Sequence, residues 1–356
     1  MRKTVSIFAM TLLSLVVLDL AVAGVLNWVE TRGRLSSVVQ YFEYGRSVPG
    51  KHARWERDPS VRGNLSAVAW RDDILAESAD VFATAPETPT VRVYGMSFSG
   101  NIMKAVSRIA PEITVDHHAG PAAPPNFTYA LFQDDQPNRR PGDVVVLTIL
   151  SSSVPAMAAL SNRTWSFEQP APFTYPIFRP EGVEGLRRID PLIQSQADEA
   201  RLSSDPDLAQ AWRDQLRTED AFYGPTSFGL TTLDHSPFSR MVRRSLATGH
   251  VARIKEQVKN GEYPFEEVLK RMARDFARSA EAEGQRPVVL LVQTRTRGNV
   301  DLHALLVPFL QAENIPYFAT ADHADPRNRG AFLPDGHYTP EFDAQFAKAI
   351  LPLIKP

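Results

Sequence analysis

Two short stretches of this sequence hold the residue types of nucleophilic catalysis. In TVRVYGMSFSG, Ser97 stands where an apolar run ends and a helically spaced apolar pattern begins. In FLPDGHYTPEF, a single residue separates Asp335 from His337. A serine becomes a nucleophile when a histidine takes its proton and a carboxylate orients that histidine. This pattern predicts Ser97 as the nucleophile, His337 as the general base and Asp335 as its orienting carboxylate.

Each of these residues also has an alternative interpretation. Ser97 or Ser99 could cap the helix that follows, because serine is common at helix starts. A second acid–base pair, Asp322 and His323, directly follows the last strand that the sequence predicts. GMSFSG is also similar to the G-x-S-x-G elbow of α/β-hydrolases, although Ser99 stands at its second glycine position.

Composition excludes several classes of function. The 356 residues are 43% hydrophobic, which is enough for a sizeable core, and the formal net charge is −2. No basic stripe is present, so we expect no nucleic-acid partner. The chain has no cysteine, which removes disulfides, thiolate catalysis and cysteine-type zinc sites. His117 and His118 suggest a metal site, but neighbouring strand residues point to opposite faces, and we expect neither metal nor cofactor.

The N-terminus resembles a secretory signal or a membrane anchor. Arg2 and Lys3 precede the apolar run VSIFAMTLLSLVVLDLAVAGVL. The motif Ala21-Val22-Ala23 and the costly carboxylate of Asp19 favour a cleaved signal. The continuation of the run through Trp28 to spanning length favours an anchor. We expect residues 1–30 to be an uncleaved anchor, with the rest of the chain outside the cytoplasm.

An alternation of strands and helices dominates the remainder of the chain. Apolar strands are predicted near residues 90–96, 112–118, 143–150, 286–294 and 315–320, with helices between them. This pattern predicts an α/β fold with a five-stranded parallel sheet. Residues 31–89 are expected to form helices, one of them over residues 66–78, with an interruption at GRSVPGKHARW and a linker before residue 90. Residues 161–284 break the alternation and are expected to form a helical insertion within a domain spanning 90–356.

These motifs resemble those of the SGNH/GDSL hydrolase family. GMSFS after a strand is similar to the family's GDS motif, with Met96 in place of its aspartate, and DGHYTPE is similar to its last block. The resemblance covers residue 90 to the C-terminus apart from the insertion. It implies a flavodoxin-like three-layer α/β/α sandwich with Ser97, His337 and Asp335 in the catalytic roles. The anchor and the long insertion resemble membrane-anchored SGNH-like proteins of bacterial exopolysaccharide O-acetylation.

The resemblance also implies an oxyanion hole. Its donors would be the backbone N–H of Ser97, the N–H of Gly120 after the second strand, and a side chain after the third strand. The family has an asparagine at this last position, and this chain has Ser152. A hydroxyl can donate one hydrogen bond but has a shorter reach, and Asn101 or Asn126 could substitute for it.

Four residues are candidates for contact with the substrate: Asn101, His118, Asn126 and Trp165. Trp165 begins an aromatic run that continues to Phe178. Such aromatic side chains either pack the insertion onto the core or stack on sugar rings.

Taken together, these features predict an extracytoplasmic serine esterase or O-acetyltransferase that acts on ester groups, expected to be O-acetyl groups, of a polysaccharide. Its expected location is the bacterial inner membrane, with a single span and the catalytic domain in the periplasm. Its expected partners are the polysaccharide, the membrane and the exopolysaccharide biosynthesis machinery. The alternatives are a non-catalytic polysaccharide-binding or assembly protein of the same fold, and a lipase or thioesterase.

Overall fold

The structure is a computed structural model that describes residues 2–31, 36–57, 69–84, 89–295 and 298–355. The chain divides into two compact units. The N-terminal unit comprises Met1–Ser66, Arg163–Ala171 and Phe222–Ile254. The sheet unit comprises Ala67–Asn162, Pro172–Ala221 and Lys255–Pro356.

The elements are numbered in chain order. The α-helices of the described residues are α1 (Arg2–Thr31), α2 (Ser36–Glu43), α3 (Val48–Arg57), α4 (Arg71–Thr84), α5 (Ser97–Ile109), α6 (Pro125–Asp134), α7 (Asn162–Trp165), α8 (Gln196–Arg201), α9 (Pro206–Glu219), α10 (Pro225–Phe228), α11 (Pro237–Gln257), α12 (Phe265–Ala282), α13 (Leu302–Ala312) and α14 (Pro340–Ile354). The strands are β1 (Val91–Gly95), β2 (Val115–Ala119), β3 (Val144–Leu150), β4 (Ile177–Glu181), β5 (Gly185–Ile189), β6 (Arg286–Val292) and β7 (Tyr317–Ala319).

The sheet unit is built on a five-stranded parallel sheet with the order β2-β1-β3-β6-β7. The predicted α/β class and parallel sheet are therefore confirmed. Counted along the chain, this order is 2-1-3-4-5, the flavodoxin-like arrangement of doubly wound sheets. The direction of winding reverses between β1 and β3, and in such sheets ligands bind beyond the carboxyl ends of the strands at this point.

Helices cover the sheet in two sets. α5 packs against α14, whereas α6 and α13 pack against α12. Because crossovers between parallel strands are right-handed, the helix after β1 lies on the face opposite to the helices after β2, β3 and β6. This arrangement is consistent with a three-layer α/β/α fold.

The predicted helical insertion is wrong in two respects. β4 and β5 form an antiparallel hairpin inside it, with Gly182 at a φ of +58° in the turn. Arg271 of α12 donates to the carbonyl of Gly185 (2.6 Å), which ties this hairpin to the sheet unit. α12 is itself a layer helix packed on β6, although the prediction assigned its residues to the insertion. The charged, helically spaced residues of this segment led to the prediction of a helical insertion, which missed the short hairpin and the core helix α12.

The first 84 residues also differ from expectation in places. The stretch GRSVPGKHARW forms α3, because Pro49 and Gly50 lie in its first turn, where proline's missing N–H is not needed. The helix predicted over residues 66–78 is α4, which begins at Arg71 and ends at Thr84. Residues 66–68 of that prediction lie outside the described residues.

α1 confirms that the N-terminus is helical and apolar. An 18-residue window within Lys3–Glu30 has a mean hydropathy of 2.4, and this segment is long and apolar enough to cross a membrane. Its large apolar side chains are mostly exposed in the structure. An N-terminal apolar helix that could anchor the protein in a membrane is therefore present.

A buried charge cluster, absent from the sequence predictions, lies within the sheet unit. The guanidinium of Arg92, in the middle of β1, is 2% exposed. It lies 2.9 Å from a carboxylate oxygen of Asp116, 3.3 Å from one of Asp143 and 3.6 Å from one of Asp135. The hydroxyl of Tyr94 donates to Asp135 (2.7 Å). This cluster joins β1 and β2 to the end of α6 and the start of β3.

Candidate active site

Ser97 is the first residue of α5, directly after the end of β1 and Met96. The side chain of buried Ser99 fixes this turn, because its hydroxyl accepts from the Met96 N–H (3.0 Å) and donates to the Met96 carbonyl (2.8 Å). A Cβ at Gly95 would lie 2.1 Å from the Ser99 oxygen, so the close approach requires glycine. The Ser97 side chain is left exposed at the helix N-terminus, where the helix dipole favours negative charge.

His337 lies in a tight loop before α14. The loop is closed by hydrogen bonds from the Leu333 N–H to the His337 carbonyl (2.8 Å) and from the Gly336 N–H to the Leu333 carbonyl (3.0 Å). The next residue, Tyr338, is buried and its hydroxyl is bonded to the hydroxyl of Thr320 (3.0 Å), just after β7. A buried tyrosine thus anchors the loop at the carboxyl edge of the sheet.

The structure brings Ser97, His337 and Asp335 together. The Ser97 Oγ lies 2.7 Å from the His337 Nε2, and the His337 Nδ1 lies 3.1 Å from an oxygen of Asp335. The His337 ring packs on Phe98 with centroids 4.6 Å apart. With its proton on Nδ1, facing the carboxylate, the imidazole can accept the serine proton at Nε2. This is the geometry of a nucleophile, a base and an orienting carboxylate.

Asp335 is held by the loop and exposed to solvent. Its second oxygen accepts a hydrogen bond from the backbone N–H of His337 (3.1 Å). Hydrogen bonds from the backbone and the ring of His337 hold the pKa of Asp335 below its usual range. The carboxylate is therefore ionised at neutral pH, as the orienting role requires.

The rival pair, Asp322 and His323, has other partners. An oxygen of Asp322 lies 2.9 Å from the Nε2 of His303, and the His323 ring stacks on Phe318 at a centroid distance of 4.8 Å. The two residues do not form a pair with each other, whereas His337 contacts Ser97 directly.

The two adjacent histidines of β2 point to opposite faces, and the candidate His118 is on the wrong one. His118 is 6% exposed, lies 3.0 Å from Asp116 and belongs to the Arg92 cluster. His117 instead lies 3.0 Å from the Ser99 hydroxyl. Burial lowers the pKa of His117 to about 4, so its ring is neutral at neutral pH. Within the described ranges, no group of three His, Asp or Glu side chains could hold a metal ion.

A cleft of about 420 Å³ opens beside the Ser97 hydroxyl. Its polar lining includes Asn101, Lys104 and His117, and Gly120 lies on its wall. Asn101 is therefore where the sequence analysis expected a substrate contact. Lys104 and His117 were missed as site residues. Their helical and strand positions are visible in the sequence, but nothing in their spacing marks them as facing the same cleft.

The expected oxyanion donors differ in their suitability. The N–H of Gly120 donates to the Gly95 carbonyl (3.3 Å), as part of the pairing between β2 and β1, so it is already engaged. Ser152 follows β3 at the same edge of the sheet and is partly exposed. Its neighbours are tied down, since Ser151 is bonded to Thr294 (3.0 Å) and Ser153 donates to main-chain carbonyls. All three serines lie inside the 3₁₀-helix Ser151–Ala158, whose N-cap residue is Leu150 and which has no side-chain cap.

Two further substrate candidates lie elsewhere. Asn126 is fully buried and donates to the Pro176 carbonyl (2.5 Å), which makes it a core residue. Trp165 belongs to the N-terminal unit and is buried there. In the sheet unit, Phe173 packs on Phe127 with centroids 5.3 Å apart, and Phe178 packs on Tyr129 at 5.1 Å. The aromatic run therefore packs the core, as the structural interpretation predicted.

One carboxyl group near the base was also missed. Asp343 lies in the first turn of α14 and is 8% exposed. Burial raises the pKa of Asp343 to about 6, and the charges of His337 and Arg108 act in the opposite direction. A second carboxyl group is thus close enough to His337 to influence it electrostatically. Its sequence position, six residues after His337, resembles any acidic residue in a helix start.

Comparisons of the chain with protein families, with curated proteins and with solved structures found no match. The fold and the site geometry therefore carry the functional argument.

Proposed function

We propose that this chain is an SGNH-type serine enzyme, an esterase or O-acetyltransferase that acts on O-acetyl groups of a polysaccharide outside the cytoplasm. One observation supports the proposal above all others. A serine at the carboxyl edge of β1 lies 2.7 Å from a histidine whose other ring nitrogen lies 3.1 Å from a carboxylate. Ser97 follows β1, and the direction of winding of the sheet reverses between β1 and β3. Ligands bind at this point in such folds.

The reaction follows from these positions. The Ser97 oxygen attacks the acyl carbonyl while His337 Nε2 takes the serine proton, and the N-terminus of α5 stabilises the developing oxyanion. The intermediate collapses as His337 returns this proton to the leaving sugar oxygen, and the acyl group stays on Ser97. A second acceptor then loses its proton to His337 and attacks the acyl carbon, and the ester bond to Ser97 breaks as His337 returns this proton to the Ser97 oxygen. If the acceptor is water the enzyme is an esterase, and if it is a sugar hydroxyl the enzyme is an acetyltransferase.

The substrate class is supported by polar side chains in the cleft and by the apolar N-terminal helix. The cleft beside Ser97 presents the amide of Asn101 and the ammonium of Lys104, which suit the hydroxyl groups of a glycan better than an acyl chain. α1 would hold the protein at the bacterial inner membrane, with the sheet unit in the periplasm and beside the exopolysaccharide biosynthesis machinery. Among esters, the proposal therefore favours a short acyl group on a sugar.

A second candidate is a non-catalytic protein of the same fold that binds polysaccharide or assists its assembly. Two observations favour it: Ser152 stands where the SGNH family has an asparagine donor, and the Gly120 N–H is engaged by Gly95. Losing a single strong oxyanion donor costs about 10²–10³ in kcat.

The purified full chain in detergent should release nitrophenol from p-nitrophenyl acetate in a burst, and much less from the palmitoyl ester. Ser97→Ala should abolish the burst, with Ser203→Ala as the matched control, because Ser203 lies on the surface at the end of α8. Incubation with an acetylated glycan, followed by mass analysis, would separate free acetate from acetyl transfer. A wild-type chain that binds the glycan but is inert towards every ester would instead support the non-catalytic candidate.

The weak oxyanion donor gives a separate prediction. Ser152→Ala should lower kcat about tenfold to a hundredfold and change KM little, because a short hydroxyl donates less well than the usual amide. The free energy of unfolding should be nearly unchanged, since no side-chain cap is lost. Both quantities are measured on one preparation. An unchanged kcat per folded molecule would remove Ser152 from the oxyanion hole.

A further inference from the structure

One helix of the N-terminal unit, α11, has apolar side chains on its outer face and charged side chains on its inner face. On α11, the apolar side chains of Phe238, Met241, Val242 and Leu246 follow helical spacing and are 61%, 40%, 41% and 58% exposed. Two arginines of the same helix, Arg240 and Arg243, point inward and are only 8% and 5% exposed. A helix on the surface of a water-soluble protein has the opposite arrangement.

Both inward arginines have carboxylate and carbonyl partners, which hold this orientation. Arg240 donates to Glu43 of α2 (2.8 Å) and to the Asp234 carbonyl (2.5 Å). Arg243 donates to a carboxylate oxygen of Asp234 and to the Leu230 carbonyl (2.8 Å). Because charged groups are costly to bury without partners, rotating α11 to hide its apolar face would break this network. The ion pairs of Arg240 and Arg243 therefore keep the apolar face of α11 pointing outward.

The start of α11 contacts the candidate membrane span. A carboxylate oxygen of Asp19 accepts a hydrogen bond from the backbone N–H of Phe238 (2.8 Å). Asp19 lies nine residues before Trp28, which is about 14 Å along the axis of an α-helix. With Trp28 at the membrane–water interface, where tryptophan is enriched, Phe238 lies at the depth of the acyl chains.

The apolar surface extends from α1 across both neighbouring helices. Residues of α1 from Leu12 to Val22 line an apolar cavity of about 450 Å³ together with Phe42, Phe238 and Met241. The outward side chains of Val38 and Tyr41 on α2 are 44% and 46% exposed. A contiguous exposed apolar surface on a water-soluble protein marks an interaction site.

We propose that the N-terminal unit is embedded in the bilayer that α1 spans, with the outward face of α11 and the neighbouring face of α2 in contact with lipid acyl chains. Lipid is the partner of this face because a bilayer that surrounds α1 at the level of Asp19 must also contact Phe238, which is hydrogen-bonded to Asp19. The same contact resolves the cost of a carboxylate inside a span, since the Phe238 N–H at the start of a 21-residue helix is its partner. It also gives α1 a structural role that cleavage after Ala23 would remove.

The absence of cysteine makes the test clean, because a single introduced thiol has no background. Val242→Cys and Leu246→Cys place thiols on the outward face of α11. Val183→Cys is the matched control on the hairpin of the sheet unit, where the side chain is 92% exposed. Each full-length variant is reconstituted in nanodiscs that hold one chain each. Reaction with a charged maleimide and quenching of an attached fluorophore by lipids brominated on their acyl chains are then measured.

We expect Cys at positions 242 and 246 to be protected from the charged maleimide and quenched by the brominated lipids. The control thiol should react fully and show no quenching. Reaction of the α11 thiols as fast as the control would overturn the proposal. Protection without quenching that appears only in discs holding two chains would also overturn it, since a second copy would then be the occupant.

Discussion

Ser97→Ala and His337→Ala should each lower kcat for an acetyl ester by about 10⁴-fold or more, because either change removes the activated nucleophile. The double variant should be little worse than each single one, since residues that act as a unit are not additive. Asp335→Ala should retain more activity, because its exposed carboxylate only orients and stabilises the imidazole. Initial rates with p-nitrophenyl acetate over a range of concentrations give kcat and KM for each variant.

His323→Ala is the matched control for the base. Its ring stacks on Phe318, and it has no contact with Ser97 among the described residues. This variant should keep the wild-type kcat. If His323→Ala were inactive while His337→Ala kept its activity, the assignment of the base would be wrong and the loop after β7 would hold it. If Ser97→Ala, His337→Ala and His323→Ala were all folded but inactive, the assignment of His337 as the base would also be unsupported. Thermal unfolding is therefore recorded for each variant.

Arg92→Met should lower the free energy of unfolding by about 3–5 kcal/mol, because it leaves buried carboxylates without a cation. The guanidinium is 2% exposed and lies between Asp116, Asp135 and Asp143, of which Asp135 and Asp143 are each 1% exposed. Urea unfolding measures the effect as a fall in the midpoint at constant slope.

Two further variants make this measurement specific. Arg327→Met removes an arginine that is 81% exposed and should change the midpoint little. Asp135→Asn introduced into Arg92→Met should recover part of the loss, because it neutralises one of the carboxylates left unpaired. A cost for Arg92→Met no larger than that for Arg327→Met would show that the cluster does not stabilise the sheet unit.

Much of the sheet unit was predictable from sequence. The central strands β3 and β6 are nearly continuous apolar runs between helical patterns, and that pattern indicates a parallel sheet covered on both faces. The position of Ser97 between β1 and α5 followed from the same pattern. The hairpin of β4 and β5 was missed, because its strands are short and half polar. α3 was missed because Pro49 was interpreted as a helix breaker, although proline is accommodated in a first turn.

The chemistry of Ser97, Asp335 and His337 was visible in residue type and spacing, because a tight loop places a carboxylate and an imidazole two residues apart side by side. Which of His117 and His118 faces the cleft was decided only by the tertiary structure. Alternation along β2 separates the two rings, but only the packing of α5 on one face of the sheet assigns His117 to the side of Ser97. Asn126 was likewise placed in the core by the residues around it.

The same division holds for the N-terminal unit. The sequence by itself determined that α1 is apolar over spanning length, since this is a matter of composition. It could not determine which side of α11 faces outward. The tertiary structure turned the apolar face outward, because Arg240 and Arg243 find their carboxylate and carbonyl partners only on the inner side. The pair of Arg240 and Glu43 joins residues far apart in the chain, and no local pattern encodes it.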